Sequence, residues 1–267
     1  MPLQGKLTVV GTGITSFAHI SAETKWAIES ADKVFFIVSD PLTQIWIKQL
    51  HPQAVSLSTY YAEDKNRFET YQEMVQTVID ALVAGGNICL VSYGHPGVFA
   101  YPTHESIRRA TSMGFEAKML PGISAEDCLF ADLGIDPGSS GCQSFEATDF
   151  LVYTRNFDPY ASLILWQLGV IGVQEYRYSN ELWNRRGVQI LTDYLKQYYP
   201  GSHVVYIYEA SIYMVSDAKI VPSTLNDLAI SDISAISTLY VPPAGKKQPN
   251  QEMMDKLFVK QGAASTV

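Results

Sequence analysis

The sequence predicts an α/β protein of two lobes, with a mainly parallel sheet in the first lobe and a mixed sheet in the second. Three observations carry that prediction. Short apolar runs alternate with helix-patterned segments through the first half of the chain. Glycine or proline turns follow several of those runs. After Asp136-Pro137-Gly138-Ser139-Ser140-Gly141 the punctuation changes, and apolar runs at 163–173, 203–208 and 235–241 take over.

The elements follow in order. Residues 6–10 form the first strand, which ends at Gly11-Thr12-Gly13. Ser21 caps a helix over 22–31, residues 34–38 read as a strand, and Pro41 opens a second helix. A short strand at 54–57 precedes a long helix over 64–84, which carries Phe68, Met74, Val75, Val78, Ile79 and Leu82 and stops at Gly85-Gly86. The strand at 87–92 delivers the chain to Tyr93-Gly94-His95-Pro96-Gly97-Val98-Phe99, where two glycines and a proline let backbone approach a ligand. A helix near 103–113 and a strand at 116–120 lead to Pro121-Gly122, after which Ser124 caps a helix over 125–131. The lobes are assigned to 1–121 and 122–243, followed by a tail at 244–267 with an amphipathic stretch at 253–259. No internal repeat is evident.

Composition narrows the function. The chain has 267 residues, 47% hydrophobic and 17% charged, which is the balance of a packed core and not of disorder. A net charge of −8, with Lys246-Lys247 as its most basic spot, excludes a nucleic-acid backbone as partner. Cys89, Cys128 and Cys142 are odd in number and widely spaced, so they are expected to be buried free thiols, neither a disulfide framework nor a metal site. The N-terminus has no basic region followed by a long apolar one, and no stretch reaches the roughly 18 apolar residues of a membrane span. A cytoplasmic protein without membrane contact is expected.

Gly11-Thr12-Gly13 invites a dinucleotide-binding reading, but Ser16 stands where the third glycine of that fingerprint belongs. The ordered set says more: Gly11-Thr12-Gly13 after strand one, Gly94-His95-Pro96-Gly97 after strand four, Pro121-Gly122-Ile123-Ser124-Ala125 after strand five, and a late Ser237-Thr238. This series resembles the tetrapyrrole-methylase superfamily, with His95 where those enzymes usually carry Asp. The resemblance implies a tetrapyrrole-methylase-like fold with S-adenosylmethionine folded into the cleft between the lobes and S-adenosylhomocysteine as product.

A narrower resemblance rests on 93–99, on Leu120-Pro121-Gly122-Ile123-Ser124-Ala125-Glu126-Asp127-Cys128-Leu129-Phe130-Ala131 and its continuation to Pro137, and on Tyr60-Tyr61, Arg67 and Tyr71. These are similar to the borosin peptide backbone α-N-methyltransferases, which commonly have a tyrosine where this chain has Ser58. The resemblance implies catalytic roles for Tyr61, Arg67, Tyr71 and Tyr93. It places Gly13, Tyr93, His95, Pro96, Val98, Phe99 and Ser124 at the cofactor from the first half of the chain. Ala125, Gln167, Tyr208, Ala210, Ser237 and Thr238 join them from the second, and no metal is implied. Because the sequence stops soon after Pro243, a separate precursor peptide is expected, with a homodimer or a two-plus-two complex as the working assembly. A tetrapyrrole or other small-molecule methyltransferase is the alternative, and a non-catalytic peptide-binding scaffold is a second one.

The chemistry agrees with those residue types. Methylating an amide nitrogen means removing its proton and breaking its resonance with the carbonyl. A guanidinium beside a phenol favours the phenolate and stabilises negative charge developing on the amide oxygen. Arg67 and Tyr71 are four apart and so share a helical face, and Tyr61 lies just before that helix. His95, between Gly94 and Pro96, reads as shaping its loop, Glu126 and Asp127 as a helix start, and Tyr206-Ile207-Tyr208 as largely core.

Overall fold

The computed structural model describes residues 5–179 and 181–258. Its first sheet contains β1 (Lys6–Gly11), β2 (Lys33–Ile37), β3 (Val55–Ser56), β4 (Asn87–Ser92) and β5 (Glu116–Met119), in the order β3-β2-β4-β1-β5. Every neighbouring pair in it is parallel. Helices must then cover both faces, and the strands read as continuous apolar runs for that reason. Leu7 and Val9 face a cluster with Met74, Val75, Val78 and Leu82, from α3 (Arg67–Val83), and Ala110, from α4 (Tyr101–Ser112). Val10, Phe36 and Val91 face the opposite way, against Ala27 and Ile28 of α1 (Ala22–Glu29) and Ile47 of α2 (Pro41–Leu50).

The second sheet is mixed. It contains β6 (Cys142–Glu146), β7 (Ser162–Trp166), β8 (Val204–Glu209), β9 (Lys219–Thr224) and β10 (Thr238–Val241), in the order β6-β7-β10-β8-β9. Only β6 and β7 run parallel. One face packs on α7 (Ala147–Val152) and α8 (Arg185–Leu195) through Phe150, Val188, Leu191 and Leu195. The other face packs on α5 (Ala125–Leu133), whose fully buried Leu129 meets Ile164, Tyr208 and Tyr240. Burying a leucine of this kind contributes about 2 kcal/mol. A short α6 (Pro137–Ser140) leads from α5 into β6.

Three local expectations are corrected. The long helix starts at Arg67 instead of 64, because Asp64, Lys65 and Arg67 bond through their backbones to Gln174 and Tyr176, and Asn66 takes the cap by accepting from Phe68 N at 2.8 Å. The apolar run 163–173 is a strand only to Trp166, since Gln167 adopts a left-handed conformation and a turn of 3₁₀ helix follows over Leu168–Val170. Of the cysteines, Cys89 is buried, but Cys128 and Cys142 are only half-buried. The amphipathic stretch forms α9 (Gln251–Leu257) with no buried residue, and Val259 and the small-residue end at 263–267 lie outside the described residues. Among the described residues, no helix is long and apolar enough to cross a membrane.

Two contacts tie the sheets together beside the strand ends. Ser16 N donates to Ile212 O at 2.9 Å, and the Tyr213 hydroxyl donates to Asp40 Oδ1 at 2.8 Å. On the far side Tyr176 N donates to Lys65 O at 2.8 Å and Arg67 N to Gln174 O at 3.0 Å. Between them lies a cleft at the C-terminal ends of the parallel strands, where open α/β sheets bind ligands.

Candidate active site

The floor of the cleft is made of loops packed backbone to backbone. A Cβ on Gly11 would sit 2.1 Å from Gly94 O, and one on Gly122 would sit 3.0 Å from the same oxygen. Gly13, at φ 69°, exchanges two hydrogen bonds with Gly94, Gly13 N to Gly94 O at 3.2 Å and Gly94 N to Gly13 O at 3.0 Å. His95 Nδ1 accepts from Gly97 N at 2.9 Å, which is the loop-shaping role read from its neighbours. Pro96 O accepts from the Thr103 hydroxyl, and Val98 N donates to His95 O at 3.2 Å. The glycines of the motif thus bring three loops together.

Above this floor is a cavity of about 490 Å³, lined by Tyr93, Ala125, Gln167, Tyr208, Ala210 and Thr238 among the expected cofactor residues. Its size lies in the range of small-molecule sites. Gly13, His95, Pro96, Val98, Ser124 and Ser237 are not among its lining residues. Ser124 is spent on a capping box with Asp127, and the buried Ser237 hydroxyl donates to Glu209 Oε1 at 2.6 Å. The lining adds residues that sequence reasoning missed: Ser39, Asp40, Trp166, Glu209, Ile212, Tyr213 and Ile236.

Several titrating groups of this cavity are shifted. Burial alone would raise the Asp40 carboxyl, but hydrogen bonds from Thr43, Tyr213 and Ser16 outweigh it and hold the group down at about 2. Tyr93 is 40% exposed, yet the protein around it, with Cys128 and Asp40 nearby, pushes its phenol up to about 12. Tyr208 is raised further by burial and by its bond to Asp132 Oδ2 at 2.7 Å.

A second cavity, of about 750 Å³, is lined by Arg67, Tyr71, Phe99 and Gln167 together with Phe68, Tyr101, His104, Glu146, Val173 and Gln174. Tyr61 stands behind Tyr71, edge-on at 6.4 Å between ring centroids, and stacks on Tyr176 at 4.5 Å. The structure therefore brings Tyr61, Arg67 and Tyr71 together, while Tyr93 lines the smaller cavity. Burial and the neighbouring Tyr71 raise the Tyr61 phenol, and the Arg67 charge offsets this only in part, so Tyr61 is protonated at rest. The Arg67 guanidinium instead lies 5.1 Å from the centre of the Trp183 ring, a cation–π contact that leaves its N–H groups without an acceptor among the described residues.

Gln167 lines both cavities. Its φ of 60° is uncommon for a side chain with a Cβ, and Phe99, at φ 49°, shares that strain on the facing loop. The Phe99 ring packs 5.7 Å from Trp166. Trp166 is fixed in turn, because its Nε1 donates to Ser144 Oγ at 2.7 Å and that hydroxyl donates to Glu126 Oε2 at 2.9 Å. Glu126, whose carboxyl burial raises, thus anchors this wall, and Asp127 alone closes the capping box. In the sequence, Pro41 was legible as a helix start, but Asp40 before it was not singled out, because its bond to Tyr213 crosses 173 positions and leaves no local signal.

Comparison with known proteins agrees with this fold. Residues 6–229 match the model of the Tetrapyrrole (Corrin/Porphyrin) Methylases. The chain is 40% identical over 257 residues to a methyltransferase/ribosomally synthesized cyclic peptide gymnopeptides precursor of Gymnopus fusipes, covering 95% of this chain and 61% of that one. It is 38% identical over 265 residues to a methyltransferase/ribosomally synthesized type I borosin cyclic peptide precursor of Coprinopsis marcescibilis, covering 97% and 68%. The chain thus spans about two thirds of these relatives or somewhat less. Its fold superposes on uroporphyrin-III-C-methyltransferase from Thermus thermophilus with a TM-score of 0.62 at 18% identity, over 91% of this chain and 94% of that one. The chain belongs to the tetrapyrrole (corrin/porphyrin) methylase family of methyltransferases, and the two sequence relatives are named as methyltransferase/precursor chains, the second of them as a type I borosin.

Proposed function

We propose that this protein transfers the methyl group of S-adenosylmethionine to backbone amide nitrogens of a peptide. The observation that carries the reading is the pair of adjoining cavities, one of cofactor size and one holding Arg67 and Tyr71, which meet at Gln167. The smaller cavity suits the cofactor: it offers aromatic walls in Tyr93, Trp166 and Tyr208 and polar groups in Thr238, Asp40 and Glu209. When bound there, the cofactor supplies an electrophilic methyl group on sulfur.

The chain's own residues act on the amide. Arg67, whose N–H groups find no acceptor among the described residues, faces the developing charge on the amide oxygen, and Tyr61 supports the Tyr71 ring from behind. Tyr71, one helical turn from Arg67, relays the amide proton to solvent, its oxygen taking up that proton as its own hydroxyl proton leaves, while the nitrogen forms its bond to carbon. The products are the N-methylated peptide, S-adenosylhomocysteine and one proton. Phe68, Phe99 and Tyr101 give the larger cavity an aromatic wall against which a peptide can pack.

The sequence relatives are named as methyltransferase and precursor in one chain. For this protein we propose a separate precursor and a homodimer. The test supplies a peptide encoded beside the gene in trans, and in parallel as a C-terminal fusion, with S-adenosylmethionine in both arms. Mass increments of whole methyl groups on the free peptide support the separate form. Increments in the fusion alone overturn that part of the reading, and none in either arm overturns the peptide substrate.

A further inference from the structure

The walls of the 490 Å³ cavity carry an uneven charge. Its lining includes two carboxylates, Asp40 and Glu209, and no lysine, arginine or histidine. Glu209 is largely compensated, since Lys219 Nζ lies 3.4 Å from Oε1 and the Ser234 and Ser237 hydroxyls donate to the same oxygen. Asp40 is different. Its side chain accepts from Thr43 N at 2.8 Å, Thr43 Oγ1 at 2.7 Å, Ser16 Oγ at 2.9 Å and Tyr213 OH at 2.8 Å, all neutral donors. Among the described residues no cation lies within ion-pair distance of it, and the residue is 7% exposed. A buried carboxylate without a cation is costly, so its negative field is left for whatever occupies the cleft.

The position of Asp40 gives that field a target. The residue lies just past β2, whose last residue, Ile37, accepts at its carbonyl from Tyr93 N at 3.2 Å, and Asp40 and Tyr93 line the same cavity. The four neutral donors fix the carboxylate in place, so its charge is preorganised and does not swing out to water. The substrate form of the cofactor and its product differ there by one charge, because the sulfonium is cationic and the thioether left after transfer is neutral. The ammonium and carboxylate of the amino-acid end are common to both.

We infer that Asp40 is a charge selector: it holds the sulfonium form of the cofactor in preference to the neutral thioether product, so that each transfer lowers the hold on the spent cofactor. This inference rests on reading the smaller cavity as the cofactor site. It assigns the carboxylate a part in exchange of cofactor for product, and asks nothing of it in the chemistry at the amide. At an effective dielectric near 20, an uncompensated charge a few ångströms from a cation changes affinity by about tenfold or more.

The test is calorimetric titration of the wild-type chain and of Asp40→Asn with three ligands: S-adenosylmethionine, S-adenosylhomocysteine and sinefungin, which puts an ammonium near the sulfonium position. Asparagine keeps an N-cap oxygen for Thr43, and the Ser16 and Tyr213 hydroxyls can turn to accept from its amide. The expected result is a loss of about tenfold or more for S-adenosylmethionine and sinefungin and less than about twofold for S-adenosylhomocysteine. Equal losses for all three would place Asp40 on the shared ammonium or in the scaffold and overturn the inference, as would no loss for any. If wild-type protein binds none of the three, the cofactor reading itself has failed. Should Asp40→Asn not fold, Asp40→Ser, with a capping hydroxyl and no charge, carries the same comparison.

Discussion

At the residue scale, the proposed function divides the site between groups that handle the amide and groups that hold the cofactor. Arg67→Ala should therefore slow single-turnover methyl transfer by about a hundredfold or more while leaving cofactor affinity unchanged. Arg67→Lys should recover little, since a point charge cannot replace a planar guanidinium that lies over Trp183 and lines the cavity. Parent-like transfer by Arg67→Ala would remove the residue from the chemistry. Asp40 makes a separate prediction about stability. Its carboxyl is lowered from 3.8 to about 2, so the folded state is favoured above pH 3.8 and that contribution is lost as pH falls toward about 2. Asp40→Asn should remove on the order of 1–2 kcal/mol from the pH dependence in that window, measured by urea unfolding across it. Identical pH profiles for the two proteins would contradict the assignment.

At the element scale, the motif glycines divide by what surrounds them. Gly11→Ala forces a Cβ to within 2.1 Å of a backbone oxygen of the facing loop, so it should destabilise by several kcal/mol or fail to fold. Gly97→Ala meets the flexible end of Met119 at 2.8 Å, which can move, and should cost far less in a thermal melt. Gln167→Gly removes the strain of a left-handed residue and should raise stability by about 1 kcal/mol while reducing transfer, because the side chain shared by the two cavities is lost. A variant that is both more stable and fully active would mean the strained turn has no part in function. These cases show what the sequence could reveal. The helix bearing Arg67 and Tyr71 was legible from its apolar spacing, and the strand-end loops from their glycines. The left-handed turn at Gln167 was not, because a glutamine carries no such preference and the nearest glycine, Gly169, comes two residues later. What holds that turn is a bond from Leu168 N to Ser237 O at 2.9 Å, made by a segment far along the chain.

At the scale of the whole molecule, the two sheets were foreseen from alternation and from the change of punctuation after Gly141, whereas the contacts that fit them together were not. Each of those contacts joins distant segments: Tyr213 to Asp40, Gln174 and Tyr176 to the residues before α3, and Phe99 to Trp166. The cleft they make should bind S-adenosylmethionine only in the folded state and raise the melting temperature with cofactor concentration, by linkage worth about 2.7 kcal/mol at a hundredfold excess over Kd. An unchanged melting temperature at saturating cofactor would count against the smaller cavity as its site. The most direct test of the central claim is tandem mass spectrometry of a candidate precursor peptide, in trans and fused, after incubation with methyl-labelled S-adenosylmethionine. Labelled methyl groups on backbone amide nitrogens are expected, formed by the wild-type chain and nearly absent with Arg67→Ala. Label on side chains or termini, or equal backbone labelling by both proteins, would contradict it.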